Sequence, residues 1–240
     1  MSASLRSGVL SQETWPAFAR LVEKHGGIFG GCWCISFHLE PGDNQRLAGR
    51  YREAKEERVR EGRAHAALVF DGEEAIGWCQ FGPPAELPNI RSKKEYDKGL
   101  GKPPDWRITC FFIDRTRRGQ GVASLALREA LKEIERLGGG IVEAYPEDYT
   151  GEKVSNSFLC SGTLGMFEKA GFQKDRKIAM RRWVVSLRVP GAGRGEGPRA
   201  PVRSGPPSPP KRAPHGASSS PQRPPRARTP SVPRTGGHRA

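Results

Sequence analysis

The sequence predicts a mixed α/β domain, a central sheet flanked by helices, followed by a polar tail. Between residues 11 and 188, segments with helical periodicity alternate with short β-branched and aromatic runs. The pattern AHAALVF-DGEE-AIGWCQFGP at residues 64–83 is typical of a β-hairpin. From residue 189 onward the chain contains no Ile, Leu, Phe, Tyr, Trp, Met or Cys. That part therefore lacks the apolar surface that a folded core requires.

Residues 189–240 are strongly basic and rich in proline. They hold ten lysines and arginines against one acid, Glu196, and thus carry nine of the chain's fourteen net positive charges. They also hold 13 of its 21 prolines. We interpret 1–188 as the folded domain and 189–240 as a disordered tail. Such a tail would bind nucleic acid or another polyanion weakly and in a salt-sensitive way. A solvated extension without a partner is the other interpretation.

Several classes of protein are disfavoured by composition. No run of about 18 apolar residues suggests a membrane span, and the first fifteen residues lack the apolar region of a signal peptide. The five cysteines are scattered, and the single-residue gap in CWC does not suit a structural zinc site. We expect a cytoplasmic monomer or homodimer without a metal ion. The cysteines are Cys32, Cys34, Cys79, Cys110 and Cys160.

The first half of the domain begins with a helix. SQETWPAFARLVEKHGG offers Ser11 or Thr14 as an N-cap and Gly26 as a stop. The apolar run at residues 28–40 predicts a strand, and the charged segment 44–62 predicts a helix. The hairpin follows, and then an irregular loop at residues 84–104 that includes a short helix near 93–99.

The second half alternates strands and helices. Residues 105–114 predict a buried strand, and residues 122–137 predict a helix with one apolar face. A strand at 140–146, a polar loop at 147–161, a short helix at 162–172 and a last strand at 177–187 complete the domain. The predicted order of elements is therefore αβαβββαβαβ.

The segment RTRRGQGVAS at residues 115–124 joins the buried strand to the long helix. The first N–H groups of a helix have no partners within it and favour anions. Gly119 and Gly121 allow close approach to the backbone and a left-handed turn, while Arg117 and Arg118 add charge at the rim. The spacing fits neither a Walker A loop nor a Rossmann fingerprint. A tight turn with solvated arginines is the alternative to a phosphate site.

RGQGVA, residues 118–123, resembles the Arg/Gln-x-x-Gly-x-Gly/Ala loop of the GNAT acyltransferase superfamily through Arg118, Gly121 and Ala123. GTLGMFEKAGF, residues 162–172, is similar to the later family helix that usually ends in YEKxGF. The resemblance covers roughly residues 10–187. It implies the acyl-CoA N-acyltransferase fold of that family, with a mainly antiparallel sheet.

The resemblance also implies acetyl-CoA as co-substrate. The backbone at Phe112 and Ile113 would pair with the pantetheine arm. The pyrophosphate would lie on the loop and the start of the following helix, at Arg118, Gly119, Gln120, Gly121, Val122, Ala123 and Ser124.

The general base is less defined. Histone-acetylating members carry a glutamate thirteen residues before the loop arginine, and that offset falls on Asp105. A carboxylate at the head of a buried strand could become a base through desolvation, but an exposed strand-end aspartate is the competing interpretation. Glu143 and Tyr145 are further catalytic candidates, because the fourth and fifth strands of the family splay around the cofactor.

The sequence departs from the family pattern at the tyrosine of YEKxGF, which protonates the leaving thiolate. Phe167 occupies that position, and Cys160 occupies the position of an asparagine seven residues earlier. Tyr145 or Tyr149 could replace the acid, or the thiolate could leave unassisted. A covalent acyl-cysteine route through Cys110 or Cys160 is a further alternative to simple packing.

The expected function is acetyl-CoA-dependent transfer of an acetyl group to a primary amine of a small molecule or a protein. The alternative is a non-catalytic CoA-binding protein whose basic tail associates with nucleic acid or another polyanion. The predicted acceptor walls, about 29–44, 83–104 and 147–161, mix aromatic side chains, His38 and many charges. They favour no single acceptor.

Overall fold

A computed structural model of the chain describes residues 5–149 and 160–192. These residues fall within one unit of the chain, Met1–Glu196. The predicted tail from residue 193 onward lies outside the described residues, as do residues 150–159 of the predicted polar loop.

The described part of the chain contains six α-helices and seven strands, besides two short 3-10 helices. The helices are α1 Trp15–Lys24, α2 Asp43–Arg46, α3 Tyr51–Arg60, α4 Lys93–Lys98, α5 Val122–Arg136 and α6 Leu164–Lys169. The strands are β1 Arg6–Val9, β2 His65–Asp71, β3 Glu74–Gly82, β4 Trp106–Ile113, β5 Gly140–Ala144, β6 Gln173–Lys177 and β7 Trp183–Val189. They form one sheet in the order β1-β2-β3-β4-β5-β7-β6.

The sheet is mainly antiparallel, as predicted, and β4–β5 is its parallel pair. The β4–β5 register runs only from Trp106 opposite Val142 to Ile108 opposite Ala144. Beyond Ile108, β4 continues to Ile113 without β5 beside it. The two strands therefore open into a cleft at the carboxyl end of β4.

A bulge in β4 lies at the closed end of this cleft. On the β3 side, Cys110 faces Gln80 and Ile108 faces Phe81, so that Thr109 has no residue opposite it. Bulges re-aim side chains and interrupt pairing, and they are common next to active sites. We refer to the position of Thr109, where the β5 ladder stops, as the apex of the cleft.

The central strands of the sheet are buried on both faces. One face packs against α1, the segment 28–39 and α3, and the other packs against α5 and α6. In α5, the predicted apolar face is buried at Val122, Ala126, Ala130 and Ile134, whereas Leu137, the last residue of the predicted helix, is 40% exposed. Each fully buried branched side chain contributes about 1.5–3 kcal/mol, which fixes this helix, and hence its N-terminus, against the sheet.

The strand predicted at residues 28–40 is wrong. This segment forms consecutive turns and a short 3-10 helix, Ser36–His38. Between residues 26 and 34 the backbone has positive φ at four glycines and at four other residues. They are Gly26, Gly27, Gly30, Gly31, Ile28, Phe29, Trp33 and Cys34. Positive φ is incompatible with a strand, and the apolar side chains are buried as a coil against the sheet instead.

Three further elements differ from the prediction. The charged helix is divided by Gly49, at φ 75°, into α2 and α3. The last predicted strand is a hairpin of β6 and β7 that turns at residues 178–182. The short edge strand β1 has no clear alternation of burial and was not predicted.

The predicted domain boundary at residue 188 lies inside a strand, because β7 ends at Val189. The Ala192 N–H then donates to the carbonyl of Glu135 at 2.9 Å, so the chain remains against the end of α5. None of the helices in the described part of the chain is long and apolar enough to cross a membrane.

The glycines between residues 26 and 31 give a stability prediction. A Cβ on Gly27 would lie 2.9 Å from the Cα of Gly31, whereas one on Gly30 would meet nothing within 4 Å. Both residues have positive φ, so each alanine costs about 1 kcal/mol of backbone strain. We expect Gly27→Ala to lower the free energy of unfolding by a further ~2 kcal/mol, the cost of overpacking. Urea denaturation of both variants tests this, and equal losses would contradict it.

Candidate active site

The glycine loop presents the N-terminus of α5 to the cleft. Gly119 and Gly121 have φ of 73° and 77°, and a Cβ at either would meet nothing within 4 Å. The first backbone bond of the helix joins the Leu125 N–H to the Gly121 carbonyl at 3.0 Å. The three preceding N–H groups therefore have no acceptor in the helix. They belong to Val122, Ala123 and Ser124.

Asp114 holds this loop in place. Its Oδ1 accepts hydrogen bonds from the Thr116 N–H and hydroxyl, both at 2.9 Å, and its Oδ2 lies 2.8 Å from Lys24 Nζ. Burial raises the pKa of the Asp114 carboxyl, but the bonds from Lys24 and Thr116 outweigh it and hold that pKa well below its usual range. The carboxylate thus ties the loop to the end of α1.

The two loop arginines differ in their partners. Arg117 forms an ion pair with Asp71 at the end of β2, which neutralises much of its charge. Arg118 is exposed and has no ion-pair partner within the described residues. Of the two arginines predicted to charge the rim, Arg118 is the one available to an anion.

The cleft has a volume of about 400 Å³. Its lining includes all the predicted cofactor-binding residues except Gln120, whose side-chain amide donates to the Thr116 carbonyl at 3.2 Å. These residues are Phe112, Ile113, Arg118, Gly119, Gly121, Val122, Ala123 and Ser124. A second cavity of about 460 Å³ shares Arg118 and Phe112 with it and adds Arg115 and His25.

The apolar wall of the cleft includes Phe111 and Met166. Phe167, in the position of the family's tyrosine, is fully buried behind this wall, and its ring centroid lies 5.9 Å from that of Phe111. The side chain therefore packs the core and has no proton to donate.

Asp105 lies before β4 begins, on the far side of the paired segment from the cleft. Its Oδ2 accepts the Ile141 N–H at 2.7 Å, and its own N–H donates to the Ile141 carbonyl at 2.9 Å. The residue is exposed. In this structure its carboxylate ties β4 to β5.

Glu143 lies in the paired segment of β5 opposite Arg107, and it is 7% exposed. Its Oε2 accepts the hydroxyl of Tyr96 at 2.7 Å and that of Tyr145 at 3.2 Å. Burial raises the pKa of Tyr145 well above its ordinary value. Both tyrosine protons are therefore committed to Glu143. Tyr149 similarly donates to Glu147.

A buried lysine on α3 was missed by the sequence analysis. Lys55 is 1% exposed, and its Nζ lies 3.0 Å from His38 Nε2, 2.7 Å from Gln80 Oε1 and 3.4 Å from the Cys34 carbonyl. Burial lowers the pKa of Lys55. The available signal was spacing, because Lys55 lies four residues from both Tyr51 and Val59 and thus shares their helix face.

Gln80 extends this network to the apex, since its Nε2 donates to Thr109 Oγ1 at 3.1 Å. The predicted pocket histidine, His38, is 3% exposed and contacts the Glu86 carbonyl through Nδ1 at 2.9 Å. Burial lowers the pKa of His38 well below its ordinary value, and the nearby Lys55 charge adds to this. The histidine is therefore neutral at pH 7.

All five cysteines are free thiols. Cys34, Cys110 and Cys160 belong to one core cluster, and Cys160 also lines the cleft. The Cys110 thiol donates to the Phe111 carbonyl at 3.8 Å. Among residues 5–149 and 160–192, no three His, Cys, Asp or Glu side chains are grouped as a metal ion would require.

The Asp114 contacts give a pH-dependent prediction. We expect Asp114→Asn to lower the free energy of unfolding by about 2 kcal/mol at pH 7, the loss of charge-assisted hydrogen bonds. Because the native pKa is lowered, this contribution is full above pH ~4 and is lost as the pH falls toward the native pKa. Denaturation from pH 7 to pH 3 measures it.

The matched control is Asp97→Asn, since Asp97 forms an exposed pair with Lys93 on α4. That change should cost no more than about 0.5 kcal/mol. A wild-type advantage over Asp114→Asn that stays constant down to pH 3 would contradict the assignment.

The sequence and the fold are both similar to those of known acetyltransferases. The sequence profile of the acetyltransferase (GNAT) family matches residues 32–150. No curated protein sequence shows a significant match. The fold is similar to an N-acetyltransferase from Staphylococcus aureus, at 15% identity and a TM-score of 0.44 over 78% of this chain and 99% of that one. It is also similar to the PaiA N-acetyltransferase from Thermoplasma acidophilum in complex with coenzyme A, at 12% identity and a TM-score of 0.43 over 77% and 99%. Through residues 32–150, the chain belongs to the GNAT family of acetyltransferases.

Proposed function

We propose that the chain transfers an acetyl group from acetyl-CoA to a primary amine of a small molecule or a protein. The observation that carries this proposal is the cleft between β4 and β5, which opens onto the unpaired N–H groups of α5. Backbone donors at a helix N-terminus bind phosphate, and the dipole of the helix favours negative charge there. Arg118 adds a charge at the same edge.

The length of exposed β4 suits the pantetheine arm. From Thr109 to Ile113 the strand has no β5 partner, a stretch of about 13 Å at ~3.3 Å per residue. An arm held at Phe112 and Ile113, with its pyrophosphate on the glycine loop, would direct its thioester toward the apex. The second cavity, with Arg115 and Arg118, would take the remaining phosphate of the nucleotide.

The reaction requires a neutral amine. Its nitrogen forms a bond to the thioester carbon, the C–S bond breaks, the amine loses a proton to a base, and the CoA thiolate takes up a proton. We assign the base to Glu143, whose carboxylate is buried within the paired segment, one residue before the pairing ends, and is oriented by Tyr96 and Tyr145. Asp105 is not assigned this role, because its carboxylate binds the Ile141 N–H.

The first prediction concerns CoA affinity. Gly121→Asp places a carboxylate beside the proposed pyrophosphate site, and like-charge repulsion should weaken CoA binding at least ~100-fold. Gly62→Asp is the control, because Gly62 has a similar φ of 68°, equally open space and a position at the end of α3. Isothermal titration with CoA measures both. Equal affinity in the two variants would refute the loop assignment.

The second prediction concerns turnover. Glu143→Gln keeps the shape of the side chain but cannot accept a proton, so we expect kcat to fall about 10²- to 10⁴-fold. Asp105→Asn should change kcat by less than ~3-fold, because an amide oxygen can still accept the Ile141 N–H. Release of CoA thiol from acetyl-CoA over an amine panel is the assay.

The two variants also separate the competing assignments. A larger loss in Asp105→Asn than in Glu143→Gln would transfer the base to Asp105. CoA binding without turnover of any amine would support the non-catalytic alternative, in which the basic tail associates with a polyanion. Residues 193–240 of that tail lie outside the described residues.

A further inference from the structure

The apex of the cleft carries a buried hydroxyl whose hydrogen-bond direction can be worked out. Thr109 is 2% exposed, and it sits at the bulge where β4 loses its β5 neighbour. Its Oγ1 is 3.1 Å from Gln80 Nε2. Whether this hydroxyl accepts or donates decides what it can offer to a molecule in the cleft.

Lys55 determines the answer, because an ammonium group donates hydrogen bonds and cannot accept them. The side-chain atom of Gln80 that faces Lys55 Nζ at 2.7 Å must therefore be the carbonyl oxygen. The amide nitrogen of Gln80 then faces Thr109 and donates to it. Thr109 Oγ1 is the acceptor in this bond.

The histidine on the other side of Lys55 agrees with this direction. His38 Nε2, at 3.0 Å from Lys55 Nζ, must accept, so the imidazole proton lies on Nδ1 and is donated to the Glu86 carbonyl at 2.9 Å. A neutral imidazole has one such donor and one such acceptor. Hydrogen bonds therefore run outward from Lys55 along two branches, one through Gln80 to Thr109 at the apex and the other through His38 to the Glu86 carbonyl.

The hydroxyl hydrogen of Thr109 is left without an acceptor among residues 5–149 and 160–192. A buried donor without a partner is costly, and a ligand oxygen at the apex would satisfy it.

The presence of Lys55 also calls for a role beyond stability. Within the described residues it has no carboxylate partner, and its bonded acceptors are the neutral groups of His38, Gln80 and Cys34. Burying a charge in such surroundings is unfavourable, and apolar replacements of buried charges are often stabilising. A role in fixing the orientation of the Gln80 amide explains why a lysine is buried here.

We propose that Thr109 donates a hydrogen bond to the thioester oxygen of the acyl donor, and that Lys55 and Gln80 are positioning residues that fix the direction of this bond. The inference rests on the proposed function and adds a catalytic residue to it. As the amine nitrogen bonds to the carbonyl carbon, negative charge develops on that oxygen, and a preorganised donor stabilises it. The oxygen releases this charge when the C–S bond breaks.

The test uses the full-length chain and four variants. Thr109→Val removes the donor, Thr109→Ser keeps it, and Lys55→Met frees the Gln80 amide to rotate. Gln80→Glu is the most informative change. A carboxylate can only accept, so both Lys55 and Thr109 would donate to it, and the hydroxyl hydrogen would no longer be available to a ligand.

We expect Thr109→Val and Gln80→Glu each to lower kcat about 100-fold, the usual loss for one oxyanion donor, with the KM for acetyl-CoA nearly unchanged. Thr109→Ser should recover kcat to within about tenfold of wild type, and Lys55→Met should fall between them. If the network served only to stabilise the fold, Gln80→Glu would show no such loss of kcat, because a new ion pair with Lys55 would preserve or strengthen the network.

A second readout does not depend on turnover. The infrared carbonyl stretch of bound acetyl-CoA, labelled with ¹³C at the carbonyl, should lie at lower frequency in wild type and Thr109→Ser than in Thr109→Val. Circular dichroism and melting curves confirm folding of each variant, and the pair Thr109→Val and Thr109→Ser suffices if Gln80→Glu does not fold.

The outcomes separate this inference from the proposed function. If wild type binds no acetyl-CoA, the proposed function fails and this inference fails with it. If acetyl-CoA binds but kcat and the carbonyl frequency are the same in wild type and Thr109→Val, this inference alone is overturned.

Discussion

The early end of the parallel β4–β5 pairing is the constraint on which the other features of the site depend. Only three residue pairs join the strands before they separate. A strand that leaves its neighbour exposes N–H and C=O groups, and these need partners. Helices on both faces bury this sheet, so the exposed edge of β4 lines a cleft between layers. The bulge at Thr109 and the glycine loop mark the two ends of that edge.

The groups that are available to bind an anion in this site are mainly backbone N–H groups and to a lesser extent charged side chains. The segment 114–118 carries three arginines, but Arg117 is neutralised by Asp71, and Asp114 is occupied by Lys24 and Thr116. What remains for an anion is a set of fixed N–H groups with the guanidinium of Arg118 beside them, and Arg115 faces the second cavity. Backbone donors need no reorganisation when a ligand arrives, whereas a cluster of free arginines would also attract unrelated polyanions.

Sequence patterns predicted the elements whose signals are local. The hairpin, α5 and the glycine loop depend on turn chemistry and periodicity within one segment, and all three were confirmed. The segment 28–40 was mistaken for a strand because an apolar, β-branched run has the same composition whether it is extended or coiled. Its glycines, which adopt positive φ, decide between the two.

The candidate site was harder to predict because its contacts join distant segments. Lys55 lies in a charged helix where a solvated position is the ordinary expectation, and its burial depends on the coil that replaced the expected strand. Asp105 was reached by counting residues from the loop, and counting could not reveal its bond to Ile141. The position of Glu143 beside two tyrosines likewise depends on the long loop that carries Tyr96.

The short β4–β5 ladder also has a consequence for cooperativity. It divides the sheet into two groups of strands, β1–β4 and β5–β7, whose shared edge is only three pairs long. Local opening is easiest where few contacts must break, so amide hydrogen exchange at this edge should be faster than within the β2–β3 hairpin. A molecule that contacted both sides of the cleft would couple the two groups of strands and slow that exchange. Binding in the cleft would therefore also stabilise the connection between the two parts of the sheet.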